Sequence, residues 1–128
     1  MPKIFILDDD SISNELNRLV FRFMGINDVE IRMNVNEALH YLQQCTENNA
    51  CPDLLFVDLN LPGMSGFEFI AEYEKKFMKF NPGQRIVILS NSISDEDRQK
   101  ATEHVSVLDF LSKPLNKNKL KEIFLKVE

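Results

Sequence analysis

Four short apolar runs in this sequence each lead into residues able to do chemistry. Ile4-Phe5-Ile6-Leu7 runs into Asp8-Asp9-Asp10, Leu54-Leu55-Phe56-Val57 into Asp58, Ile86-Val87-Ile88-Leu89 into Ser90, and Val107 to Leu111 into Lys113-Pro114. Carboxylates gathered at one rim repel one another and raise each other's pKa unless a cation lies between them. An all-oxygen set with few protein groups suits Mg²⁺, with Mn²⁺ able to take its place, because such an ion keeps several waters and bridges a carboxylate to a phosphoryl oxygen. Lys113 adds a fixed positive charge and Ser90 a hydrogen-bond donor. Together these groups describe a pocket for a small, highly charged oxyanion beside a carboxylate nucleophile.

Such convergence requires the four runs to be strands of one sheet. Apolar runs alternate with segments of helical periodicity through five rounds, the pattern of a βαβ protein with a mostly parallel sheet. Ligands of such sheets bind outside the carboxyl ends of the strands, where strand order reverses. After the first strand, Ile12, Leu16, Leu19, Val20 and Phe23 form one apolar stripe, predicted to be the packed face of the first helix. Val29, Ile31, Met33 and Val35 alternate with Glu30, Arg32 and Asn34, which predicts an edge strand. The helix after it presents Val35, Ala38, Leu39 and Leu42.

The runs at 54–57 and 86–89 are apolar on both faces, as buried parallel strands must be. Between them, the turn Pro62-Gly63-Met64-Ser65-Gly66 precedes a helix carrying Phe67, Ile70, Tyr73 and Phe77, which ends near Asn81-Pro82-Gly83. The fourth helix has Ser94 as cap with Asp97 three residues on, and little beyond Ala101 to bury, so it is predicted to be the least firmly held. Leu115, Leu120, Ile123, Phe124 and Val127 anchor the last helix, whose other side carries Lys117, Lys119, Lys121 and Lys126.

With 128 residues, the chain has the size of one globular domain. A net charge of −5 with scattered basic residues argues against direct nucleic-acid binding, which needs a concentrated cationic face. No apolar segment approaches the ~18 residues of a membrane span, and Met1-Pro2-Lys3 leads straight into a strand, so a cytoplasmic protein without membrane insertion is expected. Cys45 and Cys51 form neither a C-x-x-C pair nor a zinc set with His40 and His104, and are expected to be reduced and structural. Both histidines sit on polar helical segments and are expected at the surface.

Four segments, taken in order, resemble the receiver domain of response regulators in two-component signalling, including the chemotaxis type. They are Ile6-Leu7-Asp8-Asp9, Val57 to Gly66, Ile88-Leu89-Ser90 and Phe110-Leu111-Ser112-Lys113-Pro114. The resemblance covers essentially the whole chain, implying one receiver domain over 1–128 with no output domain. It implies an α/β, flavodoxin-like (βα)₅ doubly wound parallel sheet with strand order 2-1-3-4-5. By the same resemblance Asp58 is the phosphoacceptor. Asp9, Asp58 and the backbone carbonyl of Asn60 are metal ligands, and Asp8 acts through a metal-bound water. Lys113 and Ser90 bind the phosphoryl group, Phe110 is an aromatic switch, and the Lys113–Pro114 bond is a candidate for the cis form.

The implied donor is a sensor histidine kinase or a histidine phosphotransfer protein. A downstream protein partner would read the result, with the chain a monomer or a phosphorylation-dependent dimer. The protein would not be an enzyme beyond its own phosphorylation and dephosphorylation. Asn91 departs from the family's usual small residue, and its bulk opposes entry to the site. Asn60 and Ser92 flank the route of a hydrolytic water. Alternatives stay open at this point. Asp10 serves as a helix cap in preference to touching metal, and Phe110 is either core or switch. Asp8-x-Asp10 is also the nucleophile signature of a haloacid-dehalogenase-type phosphatase, although no late acidic pair follows. A flavodoxin-like electron carrier shares the fold, but three aspartates would repel the flavin phosphate. A degenerate receiver would bind partners without phosphorylation.

Overall fold

Period-two alternation sends the side chains of each central strand to two different layers. In a computed structural model, which describes residues 2–127, Phe5, Leu7, Leu55, Val57, Ile86 and Ile88 face one layer and Ile4, Ile6, Leu54, Phe56, Val87 and Leu89 the other. The strands are β1 (Ile4–Leu7), β2 (Val29–Arg32), β3 (Leu54–Asp58), β4 (Arg85–Ser90) and β5 (Val107–Ser112). All neighbouring pairs are parallel, in the order β2-β1-β3-β4-β5 that the resemblance implies. The helices are α1 (Ser11–Phe23), α2 (Val35–Glu47), α3 (Gly66–Lys76), α4 (Asp95–Thr102) and α5 (Lys117–Val127), with a short 3₁₀ turn at Met78–Phe80. Met1 and Glu128, which the sequence reading sets before the first strand and after the last helix, lie outside the described residues. No helix among the described residues is long and apolar enough to cross a membrane.

The layer holding α2, α3 and Ala101 of α4 packs on one sheet face, and Phe21 of α1 with Leu120 and Ile123 of α5 packs on the other. Between β4 and β5 the register slips by one residue: Ile86 pairs with Val107, but Val87 pairs with Asp109. Val107 and Phe110 consequently join the α4 side, while Leu108 and Leu111 join the α5 side.

Several local expectations need correction. Of the predicted buried stripe of α1, only Val20 packs against the core; the other four residues face solvent, Ile12 being 72% exposed, Leu16 53%, Leu19 42% and Phe23 83%. At ~100° per residue the buried residues Asn14, Asn17 and Phe21 lie almost diametrically opposite. Apolar spacing alone misassigned the face because two polar side chains, Asn14 and Asn17, point inward. β2 stops at Arg32, short of the predicted Val35, because Asn34 caps α2 by accepting the Glu37 N–H at 2.8 Å. In α5, Leu120 and Ile123 are buried, but Val127 is 44% exposed and Phe124 only partly covered.

The cysteines are not reduced: Cys45 and Cys51 form a disulfide with Cα atoms 4.8 Å apart. The cause is the end of α2. Asn49 adopts a left-handed conformation (φ 53°), and Ala50 N–H bonds back to Cys45 C=O at 2.9 Å, the six-to-one closure of a Schellman cap. The chain doubles back and delivers Cys51 onto Cys45. Cysteine counting by compartment carries no information about that turn. His104 is also not a free surface residue, since its Nδ1 lies 2.7 Å from Glu74 Oε1. His40 is exposed as expected.

Candidate functional site

The sheet order puts the carboxyl ends of β1 and β3 side by side, and those of β4 and β5 next along the same rim. Asp8 directly follows β1 and is fully buried; Asp58 is the last residue of β3 and is 5% exposed. Ligand oxygens of Asp8, Asp9 and Asp58 lie within 4.8 Å of one another, with Asp9 facing solvent. The Lys113 ammonium, from the end of β5, reaches across to both buried acids. Its Nζ donates to Asp8 Oδ2 at 2.6 Å and to Asp58 Oδ2 at 3.1 Å. The Lys113–Pro114 peptide is cis, and Lys113 N–H donates to Ser90 C=O at 2.9 Å, so the lysine's backbone is tied to β4.

Each acid is also held from its own chain. Asp10 N–H donates to Asp8 Oδ1 at 3.0 Å, and the Asn14 amide donates to Asp8 C=O at 2.9 Å. That second contact explains why α1 turns a polar residue inward: Asn14 fixes the loop between β1 and α1. Asn60 N–H donates to Asp58 Oδ1 at 3.1 Å. Below Asp58, α3 starts so close that Gly66 cannot carry a side chain. A Cβ there would lie 2.5 Å from Asp58 C=O oxygen and 2.8 Å from Leu59 Cα.

Burial pushes the Asp58 carboxyl above its ordinary value; the Asn60 N–H and the Lys113 charge oppose this, and the Asp8 carboxylate adds to it. Burial works against the Lys113 charge, yet the hydrogen bond and charge of Asp8, then those of Asp58, hold the ammonium above its usual range. The asymmetry follows the distances, because Lys113 sits closer to Asp8. Three carboxylates answered by one ammonium leave a net negative site, and their oxygens have the spacing and chemistry to hold a divalent cation.

Of the remaining predicted residues, Asp10 is the cap of α1, its Oδ1 accepting from Ile12 N–H at 3.0 Å and Ser13 N–H at 3.3 Å. Ser90 is buried and turned into its own loop: its hydroxyl donates to Ser92 C=O at 2.7 Å and accepts from Ser92 N–H at 3.2 Å. Asn60, Asn91 and Ser92 are exposed at the rim, and Asn91 lines a cleft of about 210 Å³ with Ile12, Leu16 and Lys113. Phe110 is half-buried beneath the Arg98 guanidinium, 4.6 Å from the ring centre.

Sequence reasoning did not find the Glu74 cluster. Glu74 of α3 accepts from Ser106 N–H at 3.0 Å and Ser106 Oγ at 2.6 Å, and pairs with His104. It ties the segment between α4 and β5 to α3. Burial raises the Glu74 carboxyl, but the bonds from His104 and Ser106 bring it below the ordinary value. A lone Glu on a helix gives no signal of partners 30 residues away.

The profile of the response regulator receiver domain matches residues 4–125. The response regulator Rcp1 of Synechocystis sp. is 31% identical over 99% of this chain and 85% of its own length. The hybrid signal transduction histidine kinase L of Dictyostelium discoideum is 28% identical over 98% of this chain, which spans 7% of that protein. Across the first curated relatives the chain spans between 7% and 48% of their length. A crystal structure of a two component response regulator from Cytophaga hutchinsonii superposes with a TM-score of 0.92 at 28% identity, covering 98% of this chain and 95% of that one. Profile, relatives and superposition agree with the acid rim and strand order described above: the chain belongs to the response regulator receiver domain family.

Proposed function

We propose that Asp58 accepts a phosphoryl group from a sensor histidine kinase or a histidine phosphotransfer protein, with Mg²⁺ held by Asp9, Asp58 and the Asn60 carbonyl, and through water by Asp8. The observation that carries this reading is the Lys113 ammonium bridging Asp8 and Asp58 beside the exposed Asp9. A carboxylate oxygen of Asp58 attacks phosphorus; the new O–P bond forms as the P–N bond of a phosphohistidine breaks, and the imidazole leaves with the bond electrons. Mg²⁺, when bound, supplies charge neutralisation for the phosphoryl oxygens. Lys113 supplies a second positive charge from the opposite side, and its backbone tie to Ser90 keeps it in place. Positioning of this kind is most of what phosphoryl transfer asks of a protein.

The product adds close to two negative charges at Asp58. Ser90 then has a stronger acceptor than the Ser92 carbonyl, and exchange of that bond loosens the loop leading to α4. With Ala101 as its one buried residue and Arg98 resting on Phe110, α4 is held weakly enough to repack. The face of α4, β5 and α5 is the one a downstream partner reads, with Phe110 as the switching aromatic. The exposed Asn91, Asn60 and Ser92 set access for donor and water. The protein acts on itself alone and turns over no separate substrate.

The phosphatase reading is disfavoured by one contact: Asp10, which would have to serve as its acid/base, is consumed as the α1 cap, accepting from Ile12 N–H and Ser13 N–H. Intact-mass measurement after incubation with acetyl phosphate and Mg²⁺ tests the proposal. One added phosphoryl group is expected, lost with a chelator and in Asp58→Asn. A parent protein unmodified by acetyl phosphate and by a histidine-kinase donor alike would leave only the degenerate binding module, and Asp8-dependent hydrolysis of phosphate esters would establish the phosphatase.

A further inference from the structure

The exposed stripe of α1 has the geometry of a helix-pairing seam. Ile12, Leu16, Leu19 and Phe23 are spaced four, three and four residues apart, a 3.5-residue period, and all four are exposed by 42% or more. Such a narrow row is the pattern of a coiled-coil seam, whereas a helix packing on a globular core shows a broader face. A row of this size, on the order of a few hundred Å², is what commonly marks a binding surface on a folded protein.

The charges beside the seam point to what covers it. Glu15 and Arg22 are seven residues apart on the same flank, both exposed, and neither is in an ion pair among the described residues. If two copies of α1 lie antiparallel about a two-fold axis, Ile12 meets Phe23 of the second copy and Leu16 meets its Leu19. The same alignment sets Glu15 against Arg22 of the second copy, and Arg22 against its Glu15. A parallel pairing instead sets Glu15 against Val20 and leaves both charges unanswered. The row is thus self-complementary in one orientation, as an isologous interface must be.

We propose that α1 mediates an antiparallel, two-fold homodimer of this chain, with the stripe as its core and two Glu15–Arg22 pairs on its flank. The inference does not depend on the phosphoacceptor chemistry. The row is smaller than the ~1,200 Å² typical of stable complexes, so a weak, concentration-dependent dimer is expected.

Sedimentation velocity across a concentration series tests this, with circular dichroism confirming that each variant is folded. The parent mass should rise towards twice the monomer, and Leu16→Glu should weaken association at least about tenfold. Glu15→Arg alone and Arg22→Glu alone should each weaken it. An equimolar mixture of those two variants should associate again, because each copy then carries the charge the other lacks. The proposal is overturned by a parent that stays monomeric to about 1 mM, by dimers indifferent to Leu16→Glu, or by a mixture no better than its components. It is equally overturned if the parent is monomeric and the seam binds only a helical phosphoryl donor.

Discussion

Gly66 opens α3 against the backbone of the strand that carries Asp58, and a methyl group at that position has nowhere to go. An ideal Cβ would sit 2.5 Å from the Asp58 carbonyl oxygen, 2.8 Å from Leu59 Cα and 3.1 Å from Asp58 C, all backbone atoms. Bringing the first contact to 3.0 Å, itself still tight, requires a movement of 3.0 − 2.5 = 0.5 Å between α3 and the end of β3. Overpacking of this kind costs about 1–3 kcal/mol. Alanine's lower entropic cost offsets up to ~1 kcal/mol of it. With the full offset Gly66→Ala should therefore lose up to about 2 kcal/mol net, read from urea denaturation followed by circular dichroism. Because the displaced atoms belong to Asp58, the rate of modification by acetyl phosphate should fall by roughly tenfold, given that a ~1 Å misplacement costs about a hundredfold. A Gly66→Ala protein as stable and as readily modified as the parent would refute the reasoning.

Three further outcomes follow from contacts described above. Lys113→Met leaves Asp8 and Asp58 facing each other without a cation; it should cost roughly 3 kcal/mol in the absence of divalent ions and regain much of that in millimolar Mg²⁺, whereas a deficit indifferent to Mg²⁺ would count against a cation site between these acids. Glu74 has a folded-state pKa below the ordinary 4.5, so its contribution is present above that value and lost as pH falls through the depressed one. Glu74→Gln should accordingly flatten the loss of stability below about pH 4.5, and urea midpoints that fall as steeply as the parent's would contradict a stabilising role for the Glu74 cluster. Opening the Cys45–Cys51 bridge with a phosphine should lower stability by about 2 kcal/mol on the chain-entropy relation for so short a loop; unchanged midpoints, or two free thiols before reduction, would remove the bridge from the account.

The fold was legible because parallel strands buried on both faces write continuous apolar runs, and because the family's four segments mark their ends. The acids and Lys113 stand together for the same reason: strand order alone brings Asp8, Asp58 and Lys113 to one rim. The face of α1 was not legible, since burial there is decided by an Asn14 bond to a backbone carbonyl. Apolar spacing cannot report that. The disulfide depended on a left-handed Asn49, and the Glu74 cluster on a helix and a strand meeting far apart in sequence. Such features follow from tertiary geometry, with no local signal to announce them.

The one-residue slip between β4 and β5 has a consequence in parity. Counting without it, Ile88 would pair with Asp109 and Leu89 with Phe110, so the carboxylate would point under α4 and the ring would enter the layer beneath α5. With it, Phe110 lies beneath Arg98, and Asp109 faces Lys126 of α5. The slip thus decides which layer holds the aromatic ring and which the acid. It absorbs Leu108 ahead of Asp109, so a β5 shortened by that one residue would close the slip and keep Asp109, Phe110 and Lys113 at their present addresses, the rim and the reporting face staying in step.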